Sequence, residues 1–339
     1  FAAPIAGMLF AMEVLLGNFA VRHLNAVVIA SVAAAVTTRS LVGEDAILSA
    51  PKHGTLVPAE LILYALLGLL AVAAGYLFLR ILDGVDGWKT PGPRPRWLRP
   101  VVAGVSVAAI GLVAPEALGT GQEYVAELLD STTTTDAVWW VLILIAIAKM
   151  VTNAMTRSGG GSAGTFMPSL FIGASLGTAL AVVVSPIWGF SDLDYGAFAI
   201  VGMAATFAAV ARAPLTSILI VFEITGDYGL VLPLMLATSL ATLLADRIHP
   251  ESSYTMPLRR KGIHLLRRED IDLLDTVSVG EVMKWPGTLL STDMTADVVD
   301  DILEESHHHG LPVVDDSGQL VGILTVSDVA RRGGPSPDL

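Results

Sequence analysis

Apolar runs close to the thickness of a bilayer recur along this chain, and Gly and Pro repeatedly cut them. A membrane-spanning helix needs about 20 mostly apolar residues. Residues 61–79 have that length and no charge, residues 168–191 also qualify, and residues 229–245 stand at the lower limit. Residues 24–38, 101–114, 137–148 and 197–211 are shorter. One short run could be the buried helix of a soluble protein. Seven runs, in a chain only 15% charged where soluble domains carry roughly 25%, point to a bilayer instead. Pro4, Gly7, Gly159, Gly160, Gly161, Gly164, Pro168, Gly173 and Pro214 interrupt this body. Backbone that leaves the helix at membrane depth is tolerated where it is buried in protein or lines a cavity. In transporters such breaks mark the binding site, because half-helix ends point at the ion. The expected fold is an all-α multi-pass membrane domain of broken and tilted helices, followed by something different.

The difference shows in the charge. The net charge is −12, and residues 269–339 hold 15 acidic and 3 basic side chains, leaving 17 of each sign before them. The chain is therefore an electrically balanced apolar body with an acidic tail. Such a tail reads as a solvated domain, and nothing in it suggests a nucleic-acid partner. No cysteine is present, so the redox compartment stays open. Arg259, Arg260, Lys261, Arg267 and Arg268 follow the last apolar run, which by the positive-inside rule places that side, and the tail, in the cytoplasm. Phe1 opens directly into an apolar run, with no basic region or cleavage site before it. The expectation is a chain whose N-terminal part lies upstream, and whose Gly333-Gly334-Pro335-Ser336-Pro337 end is a linker cut short.

The most informative segment of the body is residues 158–168, Ser-Gly-Gly-Gly-Ser-Ala-Gly-Thr-Phe-Met-Pro. It is expected to join a helix ending near Met155 to one beginning near Phe166. Glycine lets backbone approach a ligand closely, and Pro168 suits a first helical turn. The first N–H groups of a helix have no partner within it and carry partial positive charge, so they can hold an anion without a full fixed charge. A site that must also release its ion gains from that weakness. The same residues equally fit a close-packed kink with small residues at a helix interface.

Gly164-Thr165-Phe166-Met167-Pro168, continued by Ser169-Leu170-Phe171-Ile172-Gly173-Ala174, resembles the GxFxP signature of the CLC chloride channels and transporters. Three more stretches resemble that family in the same order. They are residues 1–13 (Phe-Ala-Ala-Pro-Ile-Ala-Gly to Glu13), Arg212-Ala213-Pro214-Leu215-Thr216 with residues 222–228, and Ser253-Tyr254-Thr255. The resemblance covers residues 1 to about 262. It implies that Gly164, Thr165 and Phe166 form the central anion site, with Thr165 and Phe166 giving backbone N–H groups and Tyr254 a neutral hydroxyl donor. An interfacial-belt tyrosine is the other reading of Tyr254. Glu13 and Glu223 are expected to be buried carboxylates with hydrogen-bond partners rather than ion ligands, since an intramembrane charge is costly unless paired. The family's GSGIP and GREGP motifs, and its gating glutamate, would lie upstream of residue 1. Where proton-coupled members often carry a second acidic residue after Glu13, this chain has Val14, which has no group that titrates. The resemblance further implies a homodimer in the lipid bilayer that carries small anions and needs no cofactor.

The tail reads as alternating strand and helix. Residues 296–305 have helical spacing, with Val298, Val299, Ile302 and Leu303 on one face. Residues 311–315 and 320–324 read as strands around an Asp316-Ser317-Gly318 turn, and Thr325-Val326-Ser327-Asp328 opens a helix. This order resembles a single CBS motif, a module that packs in pairs. The expected division is a membrane domain over 1–262, a linker over 263–275 and the CBS motif over 276–333. Thr325 and Asp328 match T-x-x-D positions that can hold an adenine nucleotide, although a plain helix cap is the simpler reading. His307-His308-His309 are expected to be surface residues, because adjacent helical residues diverge and cannot all face one ion. The function these features favour is transport of chloride or a similar small anion, as a channel or an H+/Cl− antiporter, regulated by a CBS module. The alternative is a CBS-bearing divalent-cation transporter, which should place carboxylates at the break, and none occurs over residues 158–191.

Overall fold

A computed structural model of the chain describes residues 3–17, 19, 21–43, 57–86, 97–130, 138–189, 193–249, 251–260, 280, 283, 287–306 and 308–332. Contacts divide the chain into two compact units, Phe1–Arg268 and Glu269–Leu339. The expected linker, Lys261, Arg267, Arg268 and His307 lie outside the described residues.

The described residues of the first unit form helices and turns. Its helices are α1 (Pro4–Phe10), α2 (Val21–Val42), α3 (Glu60–Asp86), α4 (Leu98–Val113), α5 (Gln122–Leu129), α6 (Trp139–Ser158), α7 (Phe166–Val184), α8 (Tyr195–Ala211), α9 (Pro214–Thr225), α10 (Val231–Ile248) and α11 (Met256–Arg260). Among the described residues, five stretches are long and apolar enough to cross a membrane: His23–Leu41, Glu60–Val85, Trp139–Ser158, Phe166–Ile187 and Tyr228–Ile248. Pro4–Leu16, Leu98–Val113, Tyr195–Ala211 and Pro214–Thr225 are shorter apolar helices. The run expected over 137–148 is the first half of α6, which continues through Lys149 and Arg157 and ends three residues beyond Met155. At the other end α7 stops at Val184, where Pro186 tightens the chain into a 3-10 turn.

The core forms around α8, where every residue from Gly196 to Ala211 is buried. A helix apolar on all sides has to be surrounded by others, and α3, α7, α9 and α10 all pack on it. The approach to α7 is close enough to require glycine. A Cβ on Gly177 would lie 1.9 Å from the Phe198 carbonyl oxygen, and one on Gly173 would lie 2.2 Å from that of Gly202. Small residues four apart let helix backbones touch, the usual basis of tight packing where no water drives association.

α1 and α9 form a second, symmetric device. Each begins with proline at its first position, where the missing N–H costs nothing. Each has a glutamate nine residues later, Glu13 and Glu223. The Glu223 carboxylate accepts from the Ile5 and Ala6 N–H groups at 3.1 and 2.8 Å. The Glu13 carboxylate accepts from the Leu215 and Thr216 N–H groups at 3.2 and 2.7 Å, and from the Thr216 hydroxyl at 2.6 Å. Each acid caps the other segment's start, where negative charge is favoured. Both are half-buried rather than buried, because a cap sits where a helix ends. Glu13 itself lies in a π-helical turn, Ala11–Leu16, that extends α1 and closes on Gly17 at φ 61°.

The second unit holds a three-stranded sheet in the order β1 (Leu290–Ser291), β2 (Gly310–Val314), β3 (Leu320–Thr325), with β1 parallel and β3 antiparallel to β2. α12 (Ala296–Ser306) packs Val299 and Leu303 on Leu290 and Leu311, with Ile302 against them, so three of the four residues expected on its apolar face meet the core and Val298 is exposed. The turn expected at Asp316-Ser317-Gly318 forms. The Asp315 side chain accepts from the Ser317 and Gln319 N–H groups, both at 2.9 Å, and Gly318 adopts φ 77°. Those bonds, led by the one from the Ser317 hydroxyl, hold the Asp315 carboxyl below its usual range. α13 (Val326–Arg332) follows β3 directly.

Gly177→Ala should lower the thermal stability of the detergent-solubilised chain by about 1–3 kcal/mol, the usual cost of overpacking. Gly84, with nothing within 4 Å of an added Cβ, is the control. Equal melting of the two alanine variants would show that the α7–α8 contact does not need glycine.

Candidate functional site

The break between α6 and α7 is short and tied at several points. Gly160 takes φ 87°, which glycine accommodates, and the Gly161 N–H donates to the Thr156 carbonyl at 3.0 Å. The Asn153 amide of α6 donates to the Gly164 carbonyl at 2.9 Å, holding the loop against the helix that precedes it. Thr165 is the N-cap of α7 and is 5% exposed. Its carbonyl accepts the Ser169 N–H at 3.1 Å and the Ser169 hydroxyl at 2.6 Å. Phe166 is the first residue of α7, and its ring meets Phe207 of α8 edge-on with centroids 4.9 Å apart. The positive end of a 19-residue helix is thereby directed into the unit's interior.

Tyr254 reaches the same place from the turn between α10 and α11. The Thr165 hydroxyl donates to the Ser253 hydroxyl at 3.1 Å, so the two segments meet although 88 residues apart in sequence. The Ser253 N–H donates to the Val210 carbonyl at 3.0 Å. Arg212, at φ 61°, pins the neighbouring end of α10. Its Nη2 donates to the Ala245 and His249 carbonyls at 2.9 and 2.6 Å, and its Nε lies 3.0 Å from the Asp246 carboxylate. The Tyr254 ring packs edge-on against Phe10 with centroids 5.6 Å apart. Burial pushes the Tyr254 phenol up, opposed in part by a side-chain hydrogen bond with Thr165, so it stays a neutral donor. Gly164, Thr165, Phe166 and Tyr254 thus form one neighbourhood. Val14 stands apart in the π-helical turn, half-buried against the main core.

Ser253, Phe10, Phe207 and Asn153 belong to this neighbourhood and were given no role in the site from the sequence, although Ser253 and Phe10 lie in the family-like stretches. Ser253 adjoins Tyr254 and was open to inspection. The other three are ordinary helix residues whose position depends on tertiary packing.

In the second unit Thr325 and Asp328 do come together, as a helix cap. The Asp328 carboxylate accepts from the Thr325 N–H at 3.1 Å and from its hydroxyl at 2.5 Å. Both bonds run from Thr325 to the Asp328 carboxylate, which reaches back over the first turn of α13 to the residue before it. Among the described residues no group of three or more His, Asp or Glu could hold a metal ion. His308 bonds the Ser306 carbonyl through Nδ1 at 2.7 Å, and the His309 carbonyl accepts the Val326 N–H at 3.1 Å.

Comparison with known proteins accounts for both units. A family profile described as voltage gated chloride channel matches residues 1–246, and a CBS domain profile matches residues 279–333. Chloride channel protein CLC-f of Arabidopsis thaliana is 30% identical over 98% of this chain and 49% of its own length. The H(+)/Cl(-) exchange transporter ClcA of Klebsiella pneumoniae is 34% identical over 77% of this chain and 56% of its own. The chain therefore spans about half the length of the curated relatives it matches. Two solved structures share the fold. A slow cyanobacterial Cl−/H+ antiporter aligns with TM-score 0.60 over 77% of this chain and 61% of its own, at 24% identity. A CLC-type fluoride/proton antiporter aligns with TM-score 0.61 over 75% of this chain and 60% of its own, also at 24% identity. These relatives are named as channels and transporters, which removes the support for the divalent-cation reading. Residues 1–246 place the chain in the voltage-gated chloride channel (CLC) family of membrane proteins, and its C-terminal unit is a CBS domain.

Proposed function

We propose that the protein carries chloride or a similar small anion across the membrane, with the anion bound between the N-terminus of α7 and the Tyr254 hydroxyl. The observation that carries this reading is the Thr165–Ser253 hydrogen bond, which sets a helix N-terminus beside the half-buried neutral phenol of the adjoining Tyr254. Both offer partial positive charge and neither offers a full charge, a combination that binds an anion weakly enough to release it. Thr165 and Phe166 are assigned the backbone donors, with Gly164 giving the ion room. Val14 supplies no titratable group beside Glu13, which leans the mechanism toward passive conduction over proton exchange. The membrane part is assigned to residues 1–262 and the CBS motif to residues 276–333, joined by 263–275. The protein acts as a homodimer with the CBS motif in the cytoplasm. An adenine nucleotide at Thr325 and Asp328 would have to displace the cap those two residues form.

In proteoliposomes the full-length protein should show chloride-dependent current or uptake, and its absence would sink the transport reading. Proton movement recorded beside chloride flux decides channel from antiporter: the Val14 argument expects flux without stoichiometric proton countertransport. Tyr254→Phe and Thr165→Pro each remove one donor and should each weaken chloride binding about three- to tenfold in calorimetry, the worth of roughly one hydrogen bond. Unchanged affinity in both would mean the site lies elsewhere. ATP should raise the melting temperature of the wild type but not of Asp328→Ala, and no shift in either argues against the nucleotide.

A further inference from the structure

Lys149 stands in the middle of α6, 2% exposed. An intramembrane cation is expensive, and it normally faces a partner or a cavity. Among the described residues Lys149 has no carboxylate beside it. Its Nζ donates to the carbonyls of Gly119, Ala117 and Leu118 at 2.8, 3.2 and 3.4 Å, and it lies 4.8 Å from the centre of the Phe171 ring. A lysine ammonium has three N–H donors, and three carbonyls take them. The turn that gives these carbonyls is shaped by Gly119 and Gly121 at φ 57° and 74°. A Cβ on Gly121 would come within 2.5 Å of Phe171 and 3.2 Å of the Lys149 Nζ. The charge is therefore solvated by dipoles and ring but not cancelled.

Lys149 borders a cavity of about 550 Å³ whose wall also includes Thr152, Asn153, Ser162, Gly164 and Phe166. Two of those residues belong to the proposed anion site. Among the described residues lining the cavity, Lys149 alone is charged. Lys149 thus brings a positive charge to the wall of the space that Gly164 and Phe166 also line, while its hydrogen-bonding capacity is already used.

We infer that Lys149 is a specificity-determining residue: its ammonium, tied off by the turn carbonyls, gives the cavity a positive potential that favours anions without itself gripping one. This rests on the anion site proposed above. It assigns the charge a role distinct from ligation, because a bound anion would have to compete with three carbonyls for the donors. The competing role is a latch in which Lys149 only holds the turn at residues 117–119.

Charge and hydrogen bonding separate by substitution. Lys149→Arg keeps the charge, Lys149→Gln keeps N–H donors without it, and Lys149→Met keeps neither. Chloride affinity by calorimetry and anion-over-cation permeability in planar bilayers are the readouts, with thermal stability measured beside them on the full chain. Lys149→Gln should bind chloride roughly tenfold more weakly and lose anion preference, the effect of a unit charge on the order of 10 Å away at an effective dielectric near 20. Lys149→Arg should stay within about threefold of wild type on the same electrostatic grounds. Wild-type affinity and selectivity in Lys149→Gln would overturn the inference, and with instability of Lys149→Met would identify a latch. If Lys149→Met fails to fold, the Gln–Arg comparison still decides. A wild-type chain that binds no chloride would instead remove the anion site itself.

Discussion

A helix that stops inside a bilayer has only protein to bind its end groups, and this fold is organised around that fact. Water is absent, and each unmet backbone group costs several kcal/mol. Residues far away in sequence therefore come to the helix ends. Glu13 and Glu223 take the starting N–H groups of α9 and α1, Arg212 takes the final carbonyls of α10, and Lys149 takes three carbonyls of the turn after α4. The N-terminus of α7 is different in kind. Around it the structure collects hydroxyls and an amide, from Ser253, Tyr254 and Asn153, and among the described residues no carboxylate bonds to it. An acid there would compete with an anion, so neutral groups in its place suit the binding role proposed for this end, where the other ends are merely capped.

The glycine contacts between α7 and α8 support that end mechanically. With backbone against backbone at Gly173, Gly177 and Gly202, the two helices have little room to slide. The position of Thr165 and Phe166 is then fixed by packing about two and three turns further along the same helix, and by the ring of Phe207 on α8.

Much of this was legible in the sequence, for identifiable reasons. The apolar runs marked the helices, and Gly164 to Pro168 marked the break, because helix length and glycine conformations are local properties. The strands and turn of the CBS domain followed from two short apolar runs around Asp316-Ser317-Gly318. Charge was the misleading signal. The apolar run stopped before Lys149 although the helix was expected to continue to near Met155, and α6 carries that cation inside a membrane-length helix because the turn carbonyls receive it. The capping of α9 by Glu13 was also hidden. The carboxylates were recognisable as needing partners, but partners two hundred residues away are set by tertiary structure. Likewise the Thr325–Asp328 pair was visible as a motif, while the two bonds that Thr325 gives to the Asp328 carboxylate needed coordinates.

The matched spacing of Pro4 with Glu13 and of Pro214 with Glu223 has a consequence for motion. Each segment fastens the beginning of the other, so the two are closed head to tail without a covalent link. Pulling them apart would open both fastenings together. α1 and α9 can therefore shift in the membrane only as one block, and any rearrangement near them must hinge outside the pair, at places such as Gly17 or Gly226 where the chain already turns through a left-handed residue.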